Sequence, residues 1–202
     1  MCLPSKMKKP SPDARQGDCL FEDLELPGLK LVTPIKFGDE RGFFCETHNE
    51  KTWANAGLNF DFVQDNHSLS RDVGTVRGLH YQTAPFAQDK LVRVISGRIL
   101  DVAVDLRRSS PTFGRHVVVE LSKENWRQLF IPIGFAHGFV TLEPDTEVIY
   151  KVTNFYSPQH DCGVAWDDPD IGIAWPAAAG SAVLSDKDRK WPRLRDLAEV
   201  FA

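Results

Sequence analysis

In "DVAVDL" (101–106), Val102, Val104 and Leu106 fall on one side of an extended chain, and Asp101, Ala103 and Asp105 fall on the other. That period of two is what a β-strand imposes, because successive side chains point to opposite faces of a sheet. The runs "HVVVEL" (116–121), "RQLFIPI" (127–133) and "TEVIYKV" (146–152) are similarly rich in β-branched and aromatic residues, which suit a pleated surface. Turn signals separate them at Gly97, "RRSSPTFG", "IPIGF", "LEPDT" and "YSPQHDCG". Many short strands at short spacing predict an all-β sandwich or barrel. Helical signals are few and peripheral: "HNEKTWANAG" (48–57), one turn in "SKENWRQL" behind Ser122, and the last fifteen residues around Pro192.

The 202 residues suffice for one domain with a real core. Residues 19–202 are expected to form it, and residues 1–18, rich in Lys, Pro and Ser without periodicity, are expected to be a disordered N-terminal extension. A net charge of -4 argues against a nucleic-acid or anionic-membrane surface. No stretch approaches the about 18 apolar residues of a membrane span. The four cysteines are scattered, with no paired spacing, which is expected of a cytoplasmic protein with reduced thiols.

"RGLHYQ" (77–82) carries a histidine without a second one beside it, and Lys90 opens the valine-rich run that Gly97 closes. The run Pro132-x-Gly134-x-x-His137 in "IPIGFAHG" resembles the second signature of the cupin superfamily, small β-barrels that often hold a metal. The first cupin signature supplies an HxH pair and a glutamate seven residues before a glycine. Here those positions read His80-Tyr81-Gln82 and Lys90. Two ligands are missing and an ammonium stands at one of their places, which disfavours a bound cation; no metal is expected. A pocket lined by His, Lys, Arg and Tyr is suited to holding an enolate instead. A base removes the proton next to a ketone, a cation holds the enolate oxygen, and an acid on the opposite face returns the proton. By alternation Tyr150 shares a face with Val148 and Val152, so its phenol enters the barrel if that face is the inner one.

The runs "FGDERGFFCETHN" (37–49), "FVQDNHSLS" (62–70), "VRGLHYQ" (76–82), "KLVRVISG" (90–97), "DVAVDLRRSSPTFG" (101–114), "RQLFIPIGFAHGFV" (127–140), "YKVTNFYSP" (150–158), "WDDPDIGIAWP" (166–176) and "LSDKD" (184–188) together resemble the dTDP-4-dehydrorhamnose 3,5-epimerase family. The resemblance implies a cupin jelly-roll β-barrel, a homodimer with exchanged N-terminal strands, and neither cofactor nor metal. It implies His80 as proton acceptor with Asp188 as its partner, Tyr150 as proton donor, and Lys90 at the ketone oxygen, with His137 lining the pocket. For the nucleotide it points to Arg41, Glu46, Gln64, Asp65, Asn66 and Arg77, to Phe155 and Tyr156 for stacking on the base, and to Phe37, Asp161 and Lys187. The implied substrate is a dTDP-4-keto-6-deoxyhexose.

Three departures from the family stand out: Asp161 is shorter than the family's glutamate, the leader of about eighteen residues is extra, and the third bears on the reaction. Phe155 precedes Tyr156 where the family usually has two tyrosines, so a stacking face is kept and a phenol is lost. The implied reaction is inversion of dTDP-4-dehydro-6-deoxy-D-glucose at C3 and C5 to dTDP-4-dehydro-L-rhamnose. Inversion at one carbon of a related nucleotide 4-ketosugar is the alternative.

Overall fold

The computed structural model describes residues 19–176, 181–198, 200 and 201. The expected N-terminal extension, residues 1–18, lies outside them. By internal contacts the described chain divides into two compact units, one of residues 34–59 with residues 19 and 20, the other of residues 21–33 and 60 onward.

The larger unit holds eight strands in succession: β5 (Gln64–Ser70), β6 (Val76–Gln82), β7 (Lys90–Ser96), β8 (Arg98–Asp105), β9 (His116–Ser122), β10 (Gln128–Ile131), β11 (Phe135–Thr141) and β12 (Thr146–Val152). They form two antiparallel sheets, ordered β5-β12-β7-β10 and β6-β11-β8-β9. That interleaving of two Greek keys is the jelly roll of the cupins, and the expected all-β class holds. The first sheet is extended by β2 (Lys30–Pro34) and β1 (Cys19–Asp23), the second by β13 (Asp161–Gly163). In the smaller unit, β3 (Lys36–Asp39) and β4 (Gly42–Cys45) pair as a hairpin, followed by helix α1 (Glu50–Asn55). The helix starts where Asn49 Oδ1 accepts from the backbone N–H of Lys51 at 2.9 Å.

Leu31, Val92, Val94, Leu129, Ile131 and Val148 of the first sheet meet Ile99, Ala103, Val119, Leu121, Phe135 and Phe139 of the second in one buried core. The period of two in β8 sorts its residues between two cores, since both faces are buried. Ile99 and Ala103 face the barrel interior, while Val102, Val104 and Leu106 pack outward against Ile171, Leu194 and Leu197 of the C-terminal segment. The backbone of Arg108 donates to Phe201 O at 2.8 Å and holds that segment in place.

Helix is scarcer than the sequence suggests. "SKENWRQL" forms a turn between β9 and β10, because Ser122 N donates to Asn125 Oδ1 and Asn125 N donates back to Ser122 Oγ, both at 3.1 Å. Such side-chain-to-backbone bonds compete with helix formation. Among the described residues of the last fifteen, only Leu194–Asp196 is helical, as a short 3-10 helix.

Candidate active site

β6 and β11 approach closely because glycines face each other in "RGLH" and "HGF". A Cβ on Gly78 would stand 2.5 Å from Gly138 Cα, a contact only paired glycines allow. The strands meet with His80 opposite His137. His80 Nε2 lies 2.5 Å from Asp188 Oδ1, and Asp188 is buried while the His80 side chain is 30% exposed. Burial alone would raise the Asp188 carboxyl, but the hydrogen bond and charge of His80, with smaller contributions from Ser185 and Trp191, outweigh it and hold the group below its ordinary value. With Nε2 committed to the carboxylate, Nδ1 is the nitrogen left to accept a proton.

Lys90 begins β7 and Tyr150 lies in β12, both on the sheet facing His80. Lys90 Nζ donates to His80 O at 3.3 Å. Burial pushes its pKa down to about 8, against the attraction of Asp161 and Asp101. Burial likewise raises the Tyr150 phenol, against the pull of the Arg77 guanidinium. His80, Lys90, Tyr150, His137, Arg77 and Asp188 line one cavity of about 470 Å³. A second, of about 310 Å³, shares His80, Lys90, Tyr150 and Lys187 and adds Gln64, Asn66, Tyr156 and Asp161. Each cavity falls in the size range of small-molecule sites.

The remaining expected residues separate into groups. Asp161 accepts from Lys187 Nζ and, at 3.0 Å, from the Tyr156 hydroxyl. Gln64 Nε2 donates to Asn66 Oδ1 at 2.8 Å and Gln64 Oε1 accepts from Tyr156 N at 3.1 Å. Arg77 is held by Ser70 Oγ and Leu69 O, each at 3.0 Å. Asp65 is not brought to either cavity. By strand alternation it points away from Gln64 and Asn66, and Lys151 Nζ donates to its Oδ1 at 2.8 Å on the exposed side. Phe155 is 60% exposed and lines neither cavity. Phe37, Arg41 and Glu46 belong to the smaller unit. There Phe37 and Arg41, with Gly38, Asp39, Phe43 and Phe44, line a separate cavity of about 510 Å³, and Arg41 Nη2 lies 2.5 Å from Asp39 Oδ2. One carboxylate oxygen of Glu46 is buried without a hydrogen-bond partner.

Asp101 was not singled out by its sequence. It is fully buried, and its Oδ1 lies 2.6 Å from His137 Nε2. Its signal was present: an acid on the same face of β8 as Ile99 and Ala103 needs an internal partner. Among the described residues, no group of three or more His, Cys, Asp or Glu side chains stands together as a metal site.

The sequence profile of dTDP-4-dehydrorhamnose 3,5-epimerase matches residues 23–196. The chain belongs to this family. An epimerase of that name from Sinorhizobium fredii is 52% identical over 181 residues, covering 90% of this chain and 92% of its own. The Bacillus anthracis dTDP-4-dehydrorhamnose 3,5-epimerase, solved with TDP and pyrophosphate bound, superposes with a TM-score of 0.84 at 49% identity over 87% of this chain and 99% of its own. The Legionella pneumophila enzyme, solved with dTDP-4-keto-L-rhamnose, gives a TM-score of 0.84 at 42% identity over 89% and 94% of the two chains. As an epimerase of this family, the protein is an isomerase.

Proposed function

We propose that the protein converts dTDP-4-dehydro-6-deoxy-D-glucose to dTDP-4-dehydro-L-rhamnose, inverting C3 and C5. One observation carries the mechanism: the base and the acid come from opposite walls of one cavity, His80 from β6 and Tyr150 from β12 of the facing sheet. Inverting a carbon requires a proton to leave one face and another to arrive on the other.

His80 Nδ1 takes the proton from the carbon next to the ketone, and Asp188 stabilises the imidazolium that results. The C–H electron pair moves into the carbonyl, and the Lys90 ammonium holds the enolate oxygen. Its lowered pKa suits it to an oxygen whose basicity rises as the enolate forms. Tyr150, kept protonated by its burial, delivers a proton from the other face, and solvent resets both groups. The Tyr156–Asp161–Lys187 cluster and Arg77 are assigned to the nucleotide, Arg77 because its fork suits a diphosphate.

We assign a homodimer with exchanged N-terminal strands. Phe43 and Phe44 of the β3–β4 hairpin are 55% and 61% exposed, and contiguous exposed aromatics mark an interaction surface. A cytoplasmic location fits four scattered cysteines whose positions follow no disulfide spacing; among the described residues no helix is long and apolar enough to cross a membrane.

A proton NMR time course with the ketosugar nucleotide in heavy water tests the reaction. Deuterium is expected at both C3 and C5. Phe155, which lacks the phenol of a tyrosine, carries the alternative, and label confined to one carbon would establish the single-centre reaction instead.

A further inference from the structure

Trp191 follows the "LSDKD" run and lines neither cavity, yet it touches the dyad from behind. Its ring meets the His80 ring edge-to-face, with centroids 6.1 Å apart and planes at 69°, an arrangement that aromatic quadrupoles favour. On another side it lies on Gly163, which pairs with His80 across β13 and β6. A Cβ at Gly163 would stand 2.5 Å from indole Cδ2 and Cε2, so only glycine leaves room for the ring. The Lys187 ammonium sits 5.4 Å from the indole centroid. The backbone beyond the indole is pinned where Ala165 N donates to Pro192 O at 2.8 Å. The indole also acts on the other half of the dyad, since Trp191 is among the groups that hold the Asp188 carboxyl below its ordinary value.

A single hydrogen bond to Asp188 fixes one nitrogen of His80 but leaves the imidazole free to rock about that point. A base must be held to a fraction of an ångström for proton transfer, and that takes a second contact on the ring. We propose that Trp191 is a positioning residue that clamps the His80 imidazole, keeping Nε2 on Asp188 and Nδ1 toward the substrate carbon. The proposal rests on His80 being the base. Lys187, over the indole, also pairs with Asp161, so the ring touches a neighbour of the Asp161–Tyr156 cluster as well as the dyad.

Steady-state kinetics and solvent-deuterium incorporation on the full chain test it. Trp191→Ala is expected to lower kcat on the order of 10²-fold while KM changes less than about threefold, because misplacing a base by about 1 Å has that scale of effect. Trp191→Phe keeps a ring edge and is expected to restore kcat to within roughly fivefold of the parent, since most of the packing survives. Gly163→Ala displaces the indole from the other side; it should slow the parent but add nothing to Trp191→Ala, the signature of a shared contact. If Trp191→Ala does not accumulate as folded protein, Gly163→Ala and Trp191→Phe carry the same comparison. A folded Trp191→Ala enzyme, or failing that Gly163→Ala, with kcat unchanged from the parent would overturn the clamp, as would a Trp191→Phe enzyme that loses kcat and raises KM in step. A parent protein showing no solvent exchange with the ketosugar would refute the proposed function itself, before any variant is made.

Discussion

His80 and His137 face each other across β6 and β11, and each carries its own aspartate, Asp188 at 2.5 Å and Asp101 at 2.6 Å. Exposure separates the two dyads. The His80 side chain is 30% exposed and that of His137 9%. A general base must reach its substrate and exchange its proton with solvent, which favours His80. His137, sealed against a fully buried carboxylate, is suited to bracing the cavity wall.

Removing the base should separate chemistry from binding. His80→Ala is expected to reduce deuterium incorporation at both carbons by on the order of 10² to 10⁴. Affinity for dTDP, measured by calorimetry, should stay near that of the parent. Loss of both together would place His80 in binding.

In the proposed mechanism the acid acts after the enolate has formed. Tyr150→Phe is therefore expected to wash deuterium into the substrate without inversion, so that exchange persists while the L-configured product falls on the order of 10²-fold. Equal loss of exchange and product would remove Tyr150 from the donor role.

With Lys90 in its proposed role, activity is expected to have an alkaline limit. With its pKa lowered from 10.5 to about 8, the ammonium is present below that value and lost above it. The kcat/KM of the enzyme is expected to fall as pH rises through about 8, and Lys90→Arg, which stays charged, should move the limb upward. Stability runs the other way. Between about 8 and 10.5 the unfolded chain binds more protons at this residue than the folded one, so its contribution to stability rises with pH across that window. A pH–rate profile of Lys90→Arg with the parent's alkaline limb would exclude Lys90 as its source.

Asp105 gives the fold an acid-sensitive fastening. It is fully buried at the β8–β9 corner and accepts from Arg107, Ser110 and Thr112. Burial would raise its carboxyl, but those bonds bring it to about 2, below the ordinary 3.8. The stabilisation is present above 3.8 and lost as pH falls through about 2; by linkage it is worth roughly 2 kcal/mol. Asp105→Asn should lower the urea midpoint at neutral pH, with the gap to the parent narrowing toward pH 2. A gap independent of pH would assign the effect to packing.

Alternation in "DVAVDL" and "TEVIYKV" and the turn residues between strands were enough for the all-β class, because side-chain direction along a strand is a local property with a period of two. The same rule put Tyr150 on the face of Val148 and Val152, and the motif residues His80 and Lys90 were visible as an imidazole and an ammonium on strands that flank one loop. Local period could not say which wall meets which. That Tyr150 faces His80, that Asp188 reaches it from 108 residues away, that Asp101 pairs with His137, and that Trp191 lies on Gly163 beside His80 all depend on how two sheets and the C-terminal segment pack. Asp65 makes the same point from the other side, since one step along β5 sends it to the outer face. Which residues form strands is set by neighbours in the chain, whereas which strands share a cavity is set by close packing of surfaces distant in sequence, and only the folded structure holds that information.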